Sequence, residues 1–192
     1  LRYNYKDYNI VGVPKEYSSA ITVPKGKVMV WGDFAQADFR IGYNLLVRSP
    51  ENQKIMDSVE DKYEGISRII ADAYGEVFDH AAFKEDRGVY KQNTLATMYG
   101  QRGGDTEQAR RFVKKFSGYL NERCPKYQEF CKRIDDRIEL GLPINIQTYF
   151  GNTMTVPVAS SGYFAEGKGP RNKALNTPFQ SGTSEIIILT VN

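Results

Sequence analysis

Apolar residues recur at helical spacing through the middle of the chain. The first such stretch, residues 52–73, places seven apolar side chains on one face, which predicts an amphipathic helix. These seven are Ile55, Met56, Val59, Tyr63, Ile66, Ile70 and Ala73. The pattern then stops, and residues 75–86 are predicted to form a loop.

Two further amphipathic stretches lie beyond residue 105. The first begins at Thr106, whose hydroxyl oxygen suits a helix N-cap. Pro125 interrupts the pattern, which then resumes and continues to Gly141. Residues 52–140 are therefore predicted to be mostly helical.

Strands are predicted nearer the two ends of the chain. Residues 25–34 form a short apolar run bounded by glycine and proline, which is typical of a buried strand. Residues 35–47 continue with helical character, so Asp33 is expected at a strand-to-helix junction. Residues 142–158 alternate between apolar and polar side chains around Gly151, which predicts a β-hairpin.

The last part of the chain combines a loop pattern with a helix pattern. Residues 167–173, GKGPRNK, are basic and rich in glycine, which predicts a loop. Residues 174–191 are predicted to form a final helix.

Composition changes this picture only slightly. The 192 residues carry a net charge of +3, from 26 basic and 23 acidic side chains, and the basic excess lies between Ala81 and Leu140. No apolar run approaches the length of a transmembrane span, so a membrane partner is not expected. Cys124 and Cys131 lie seven apart in a helical pattern, which favours two reduced thiols over a disulfide or a metal pair.

The segment RGVYKQNTLATMYGQ, residues 87–101, has an unusual helix face. Arg87, Lys91, Leu95 and Tyr99 recur every four residues, so they lie on one stripe of a helix. Two cations near a helix N-terminus favour an anion, and a polyphosphate would fit there with a sugar and base over the later residues. A solvated basic edge of a packing helix explains the pattern equally well.

Asp33 is a second candidate site residue. A carboxylate at the end of a buried strand requires compensation, which either helix capping or a metal ion can provide. Taken alone, the position favours capping. It is also compatible with Mg²⁺, which binds one or two protein carboxylates together with phosphate oxygens.

Four segments together resemble family A DNA polymerases, from about Val23 to Asn192. DFAQADFR (33–40) is similar to motif A of that family, D-Y-S-Q-x-E-L-R, and RGVYKQNTLATMYG (87–100) is similar to motif B, R-x3-K-x3-F/Y-x3-Y-G. NTPFQSGTSEII (176–187) resembles N-x-P-x-Q-G-T-A-A-D-I-I, and TYFGNTMTVP (148–157) resembles T-x-x-G-R-R-x-x-x-P. Their order along the chain matches the family, which makes the resemblance specific.

The resemblance implies a fold and an activity. The fold would be α+β, a mainly helical fingers subdomain with part of a β-sheet palm. Residues 1–48 would form part of the palm with motif A, residues 49–142 the fingers, and residues 143–192 a hairpin and a helix returning to the palm. The activity would be template-directed DNA polymerisation from dNTPs onto a primer 3′-hydroxyl, in a bacterial cytoplasm or nucleoid, with primer–template DNA as partner.

The resemblance also implies a role for each matching residue. Asp33 and the backbone carbonyl of Phe34 would bind Mg²⁺, and two such ions act in the complete enzyme. Lys91 would be catalytic, protonating the departing pyrophosphate, and would bind the triphosphate together with Arg87. The further nucleotide contacts would be Leu95, Tyr99, Asp38 and Gln36, and the DNA contacts Asn176, Gln180 and Arg171.

Two nucleotide contacts depart from the family pattern. Asp38 replaces the glutamate that closes off room for a ribose 2′-hydroxyl, so weaker exclusion of ribonucleotides is expected. Leu95 replaces a phenylalanine or tyrosine, so poor use of dideoxynucleotides is expected. 

Two further family contacts have no direct counterpart. The histidine of the D-x-H motif is missing, and Tyr63 or Ser67 lies nearby. An arginine four residues before Asn176 is replaced by Asn172, next to Arg171 and Lys173.

The H-D-E turn of motif C, which carries the second metal aspartate, is also missing. His80 is the single histidine, and its context predicts a loop or helix-edge residue. The chain is therefore expected to be a fragment that lacks motif C and the thumb and does not polymerise alone. The alternatives are a single-subunit phage-type RNA polymerase and a non-catalytic nucleic-acid-binding remnant.

Overall fold

The computed structural model describes residues 24–28, 34–101, 103–158 and 169–191, with side chains described only as far as residue 185 in the last range. The chain forms two compact units, Leu1–Ala35 and Gln36–Asn192. All packing described below belongs to the second unit.

Eight α-helices and two strands make up most of the described part of the chain. Helix α1 (Ala37–Gly42) continues directly into a π-helix (Tyr43–Val47). The other helices are α2 (Pro50–Asp57), α3 (Lys62–Ala73), α4 (His80–Glu85), α5 (Arg87–Met98), α6 (Glu107–Arg123), α7 (Pro125–Glu139) and α8 (Pro170–Val191); the strands are β1 (Ile144–Gln147) and β2 (Thr153–Val156). None of the described helices is long and apolar enough to cross a membrane.

The fold class is α+β and mostly helical, as the sequence predicted. Helices make up most of the described residues, and the small sheet is a two-stranded antiparallel hairpin. In the hairpin Ile144 pairs with Val156 and Gln147 with Thr153, and Gly151 turns the chain with φ 89°. Positive φ is easy only for glycine, which explains why the alternating pattern is centred there.

Residues 52–73 form parts of two helices, so the prediction of one helix was wrong. The chain breaks between Asp57 and Lys62, and the Asp61 side chain accepts a hydrogen bond from the Tyr63 amide at 3.0 Å, capping α3. The predicted apolar face is nevertheless buried on both sides of the break, with Met56 and Ile66 in the core.

A short helix occupies part of the predicted loop at residues 75–86. The Asp79 side chain caps α4 by accepting from the Ala82 amide at 3.0 Å, and Phe83 is buried against the core. Six residues with one core side chain give too little periodicity to distinguish this helix from a loop.

A predicted loop and a predicted strand also differ from the structure. Helix α8 begins at Pro170, inside the predicted loop 167–173, because proline suits the first helical turn. Residues 24–28, at the start of the predicted strand 25–34, form a turn in which the Lys27 amide donates to the Pro24 carbonyl at 3.0 Å. The rest of that predicted strand up to Asp33 lies outside the described residues.

Two packed clusters hold the second unit together. The larger one is built from aromatic and aliphatic side chains of α1 to α7 and Phe179 of α8. In the smaller one, α7 and α8 cover the hairpin through Ile134, Ile144, Ile146, Val156, Ala174 and Leu175. Helix α1 packs closely on α8, because a Cβ added at Gly42 would collide with the Phe179 ring.

Several sequence predictions outside the site are confirmed. Thr106 caps α6 by accepting from the Ala109 amide at 3.1 Å, and α7 begins at Pro125. Cys124 and Cys131 are both free thiols. 

Candidate functional site

The predicted stripe lies on α5. Arg87 is its first residue, Lys91 is exposed one turn later, and Leu95 packs partly buried against the main core. Tyr99 ends the helix and stacks at a tilt on Phe179 of α8, with ring centroids 5.3 Å apart. Lys91 has no ion-pair or hydrogen-bond partner among the described residues, so its charge is available to a ligand.

Polar side chains cover much of the core side of α5. Asn93, Thr94 and Thr97 are buried, and the Asn93 and Thr97 side chains donate to carbonyls one turn earlier at 2.8 and 2.7 Å. These two bonds within the helix satisfy the Asn93 amide and the Thr97 hydroxyl, whereas the Thr94 hydroxyl is buried without a hydrogen-bond partner among the described residues. They explain how a helix can present two cations and still pack against the protein.

Asp61 joins the start of α5 to the start of α1. Its carboxylate accepts from the Nε of Arg87 and, at 3.0 Å, from the Nε2 of Gln36. Gln36 also accepts from the Lys62 amide at 3.2 Å and has a left-handed backbone with φ 57°. A non-glycine residue in this conformation needs support from its surroundings, which these two hydrogen bonds provide.

Tyr63 packs next to the hydrogen bonds that Asp61 makes with Arg87 and Gln36. Its ring is 1% exposed, lies 4.9 Å from the Phe39 ring, and has the Arg87 guanidinium 5.8 Å above its centroid. Burial, with a contribution from the charges of Asp38 and Asp61, raises the pKa of Tyr63 to about 12 although Arg87 opposes the shift. The phenol therefore stays neutral throughout the physiological range.

Asp38 links α1 to the middle of α8. The half-buried carboxylate accepts a hydrogen bond from the Thr183 hydroxyl. Burial and the nearby charge of Asp38 raise the pKa of Tyr99 well above its ordinary value. The charge of Asp38 therefore acts on both Tyr63 and Tyr99.

Four of the predicted nucleotide contacts therefore belong to one connected arrangement. Gln36 and Asp38 of the first segment, Arg87 and Tyr99 of the second, and Thr183 of the third are linked through hydrogen bonds, ring contacts and electrostatic coupling. One end carries the cationic start of α5 and the other a carboxylate beside neutral phenols. Such a surface can hold an anion at one end and a polar, uncharged group at the other.

The three predicted DNA contacts are separate from this network. The Arg171 guanidinium binds the Asp135 carboxylate through two nitrogens, at 2.6 and 3.2 Å, and this bond raises the pKa of Arg171. Arg171 also borders a polar cleft of about 350 Å³. Gln180 is exposed, and the Oδ1 of Asn176 is buried without a hydrogen-bond partner among the described residues.

The predicted metal ligands cannot be placed in the same way. Asp33 lies outside the described residues, and Phe34 is exposed in the first unit. The described part of the chain holds no group of three or more histidine, cysteine, aspartate or glutamate side chains suited to a metal ion. The Mg²⁺ site therefore stays a prediction.

Sequence reasoning missed Asp61 and Thr183, and it left Tyr63 unassigned. Asp61 had one local signal, because aspartate two residues before a core aromatic suits a helix cap. The Thr183 bond had none, since its partner lies 145 residues away in the sequence. 

A fourth missed residue, Glu185, fixes the hairpin loop to α8. Its carboxylate accepts from the Thr148 hydroxyl and the Asn152 side-chain amide, both at 2.6 Å, and from the Phe150 amide at 3.3 Å. The loop consequently holds Tyr149 and Phe150 as a half-exposed pair, edge to face at 5.2 Å.

Comparison with known proteins adds no family to this description. No protein-family model matches the chain, and no curated protein matches it. The arrangement of Arg87, Asp61, Gln36, Asp38 and Thr183 is therefore the basis on which a function can be assigned.

Proposed function

We propose that this chain is the fingers and part of the palm of a family A DNA polymerase, which transfers a nucleotide from a dNTP to a primer 3′-hydroxyl. One observation carries the proposal: the segments that resemble motif A, motif B and the final family segment converge on the Asp61 and Asp38 networks. If the three segments resembled the family by chance, there would be no reason for them to meet in space.

The triphosphate end of the proposed site is the start of α5. Arg87 and Lys91 lie one turn apart there, where no side chain caps the helix and the helix dipole adds positive potential. Arg87 is oriented by Asp61 and lies over Tyr63, whereas Lys91 is exposed and would give a proton to the leaving pyrophosphate. Arg87 would therefore bind the triphosphate at a fixed position, whereas Lys91 would adapt its position to it.

The sugar and base end is formed by Asp38 and Tyr99. The Tyr99 ring is supported by Phe179, and its raised pKa keeps the phenol neutral, which suits contact with an uncharged base or sugar. Asp38 lies nearby with its carboxylate bound to Thr183, and in the proposed site this carboxylate would limit the room for a ribose hydroxyl.

No geometry is assigned to the Mg²⁺ ions of such an enzyme, because Asp33 lies outside the described residues. When bound, the ions would neutralise charge on the triphosphate and activate the primer hydroxyl. The second metal carboxylate is absent from this chain's motifs, so the proposal includes a remainder of the polymerase, with motif C and the thumb, supplied from outside these 192 residues.

The proposal is tested by titrating the chain with dNTPs in a magnesium buffer and measuring heat of binding. Arg87→Ala and Lys91→Ala should each weaken the affinity about tenfold, the scale of a hydrogen bond to a charged group. Lys114→Ala is the matched control, since it removes one exposed positive charge from the middle of α6. Equal affinities for all four proteins would overturn the proposal.

A non-catalytic nucleic-acid-binding protein is the second candidate, favoured by the exposed Tyr149–Phe150 pair. Two rings on a loop fixed by Glu185 suit base stacking. In that case, a single-stranded oligonucleotide should bind, the double variant Tyr149→Ala/Phe150→Ala should weaken it, and dNTPs should not bind. A preference for NTPs over dNTPs would instead favour the phage-type RNA polymerase.

A further inference from the structure

Thr183 makes the one contact that fixes the orientation of Asp38 within the described structure. Its hydroxyl donates to the Oδ1 of Asp38, and the Oδ2 atom has no hydrogen-bond partner among the described residues. A hydrogen bond to an ionised acceptor is stronger than a neutral one, so it selects one orientation of the carboxylate.

The Thr183 hydroxyl has a second acceptor within reach. It lies 3.2 Å from the Phe179 carbonyl of the preceding turn, but a hydroxyl donates only one proton. The charged carboxylate wins this competition, whereas the carbonyl would take the proton if Asp38 moved away. The threonine therefore stays satisfied in either case, and the difference in free energy between the charged and the neutral hydrogen bond is what holds Asp38 in position.

Because α1 packs closely on α8, the hydrogen bond from Thr183 fixes the position of the Asp38 carboxylate. Phe39 is fully buried next to Asp38, and Gly42 contacts Phe179, one turn before Thr183. Because the two backbones cannot shift independently, the Thr183 hydroxyl stands at a fixed point relative to α1. The alanine in the corresponding family segment could not make this bond.

We propose that Thr183 is a positioning residue that sets sugar discrimination by holding the shortened acid, Asp38, in the path of a ribose 2′-hydroxyl. This inference rests on the proposed function. An aspartate is one methylene shorter than the family's glutamate, and a free aspartate would rotate out of the way. With Thr183 as a tether, the shorter side chain presents a fixed obstacle to the sugar.

The experiment compares the affinities of the whole chain for dATP and ATP in the same magnesium buffer. Thr183→Val removes the hydroxyl at nearly constant volume and should lower the preference for dATP about three- to tenfold. Thr183→Ser keeps the hydroxyl and should retain the preference. Thr177→Val is the matched control, because its hydroxyl donates to the Lys173 carbonyl of the same helix at 2.8 Å.

A double-mutant cycle separates positioning from a general loss of structure. In an Asp38→Ala background, Thr183→Val should leave the dATP to ATP ratio unchanged, because there is no carboxylate to hold. If dATP binds and the ratio is the same in wild type and Thr183→Val, the inference is wrong while the proposed function stands. If neither nucleotide binds the wild type, the proposed function is wrong, and the inference that rests on it is wrong as well.

Discussion

Arg87 has an anionic partner within the protein, because its Nε donates to the Asp61 carboxylate. A triphosphate bound to Arg87 must share the guanidinium with Asp61 or displace it. The guanidinium has five N–H donors, but two anions placed side by side repel each other. At the scale of the residue, Asp61 therefore orients Arg87 and, in the proposed site, would lower the affinity of Arg87 for phosphate.

Asp61→Asn should raise the affinity of the chain for dNTPs about threefold, since it removes the competing charge at an ion pair of surface strength. The asparagine side chain retains an oxygen that can accept from the Tyr63 amide, so α3 stays capped. Glu60→Gln, one residue earlier and exposed, is the control for the change in net charge. A weaker affinity in Asp61→Asn would show that orienting Arg87 matters more than freeing it.

Leu95 is the apolar member of the stripe, half-buried against the main core. Leu95→Tyr should improve the use of dideoxynucleotides relative to dNTPs, because it restores a ring and a phenol near the sugar. The measurement is the ratio of ddATP to dATP affinity in the same titration. Leu95→Met, which adds neither a ring nor a hydroxyl, should leave the ratio unchanged; an unchanged ratio in Leu95→Tyr would remove Leu95 from the sugar end of the site.

At the scale of the element, the close approach of α1 to α8 depends on glycine. Gly42→Ala should destabilise the protein by about 1–3 kcal/mol, because the new methyl group would collide with the Phe179 ring and the end of Met98. Gly88→Ala is the matched control: it is also helical, has no atom within 4 Å of the added Cβ, and should stabilise by about 0.5 kcal/mol. Urea unfolding of the three proteins measures both changes.

Cys124 gives the junction between α6 and α7 a dependence on pH. Burial raises the pKa of this thiol from 9.0 to about 11, since the thiolate is poorly solvated there. The folded protein therefore holds the proton more tightly than the unfolded chain. Its contribution to stability is complete below pH 9 and is lost as the pH rises towards 11.

Urea unfolding at pH 8 and pH 10.5 checks this expectation. The free energy of unfolding of wild type should fall more between the two pH values than that of Cys124→Ala, which has no thiol to ionise. Cys131→Ala should resemble wild type more closely, because Cys124 remains in place. Equal falls in wild type and Cys124→Ala would contradict the proposed origin of the effect.

The long amphipathic helices were predictable because their own side chains carry the periodic signal. Helices α6 and α7 follow their predicted faces, and Thr106 and Pro125 mark their starts. Sequence periodicity could not reveal the break before Lys62, because Met56, Val59 and Tyr63 continue the apolar face across it. That break depends on the Asp61 cap, a single hydrogen-bonding side chain within an otherwise continuous pattern.

At the scale of the whole molecule, the candidate site depends on contacts between distant segments. The stripe of Arg87 and Lys91 was visible as a local pattern, whereas the Asp38–Thr183 bond spans 145 positions and the Arg87–Asp61 pair spans 26. Spacing within one helix says nothing about which other helix lies opposite. The sequence could therefore identify Arg87 and Lys91, but it could not identify Asp61, which orients Arg87.

The hairpin loop is attached to the rest of the second unit by Glu185. Glu185→Ala should make the Phe150 amide exchange its hydrogen about tenfold faster, because that amide loses its acceptor and the loop loses three bonds. The amides that pair Ile146 with Met154 serve as the internal control, since the ladder between β1 and β2 is not altered. Equal acceleration of both groups would indicate that the whole hairpin opens as one.

The bond between Asp38 and Thr183 has a consequence for the order of folding. Closing a chain segment costs more entropy the longer it is, and contacts between distant residues slow folding. Helices α2 to α6 can pack among near neighbours and Phe39 of α1 can contact Tyr63 of α3, but the contact of α1 with α8 forms only when α8 arrives. A growing polypeptide would thus pack α2 to α6 against one another on the ribosome before Thr183 is available to bind Asp38.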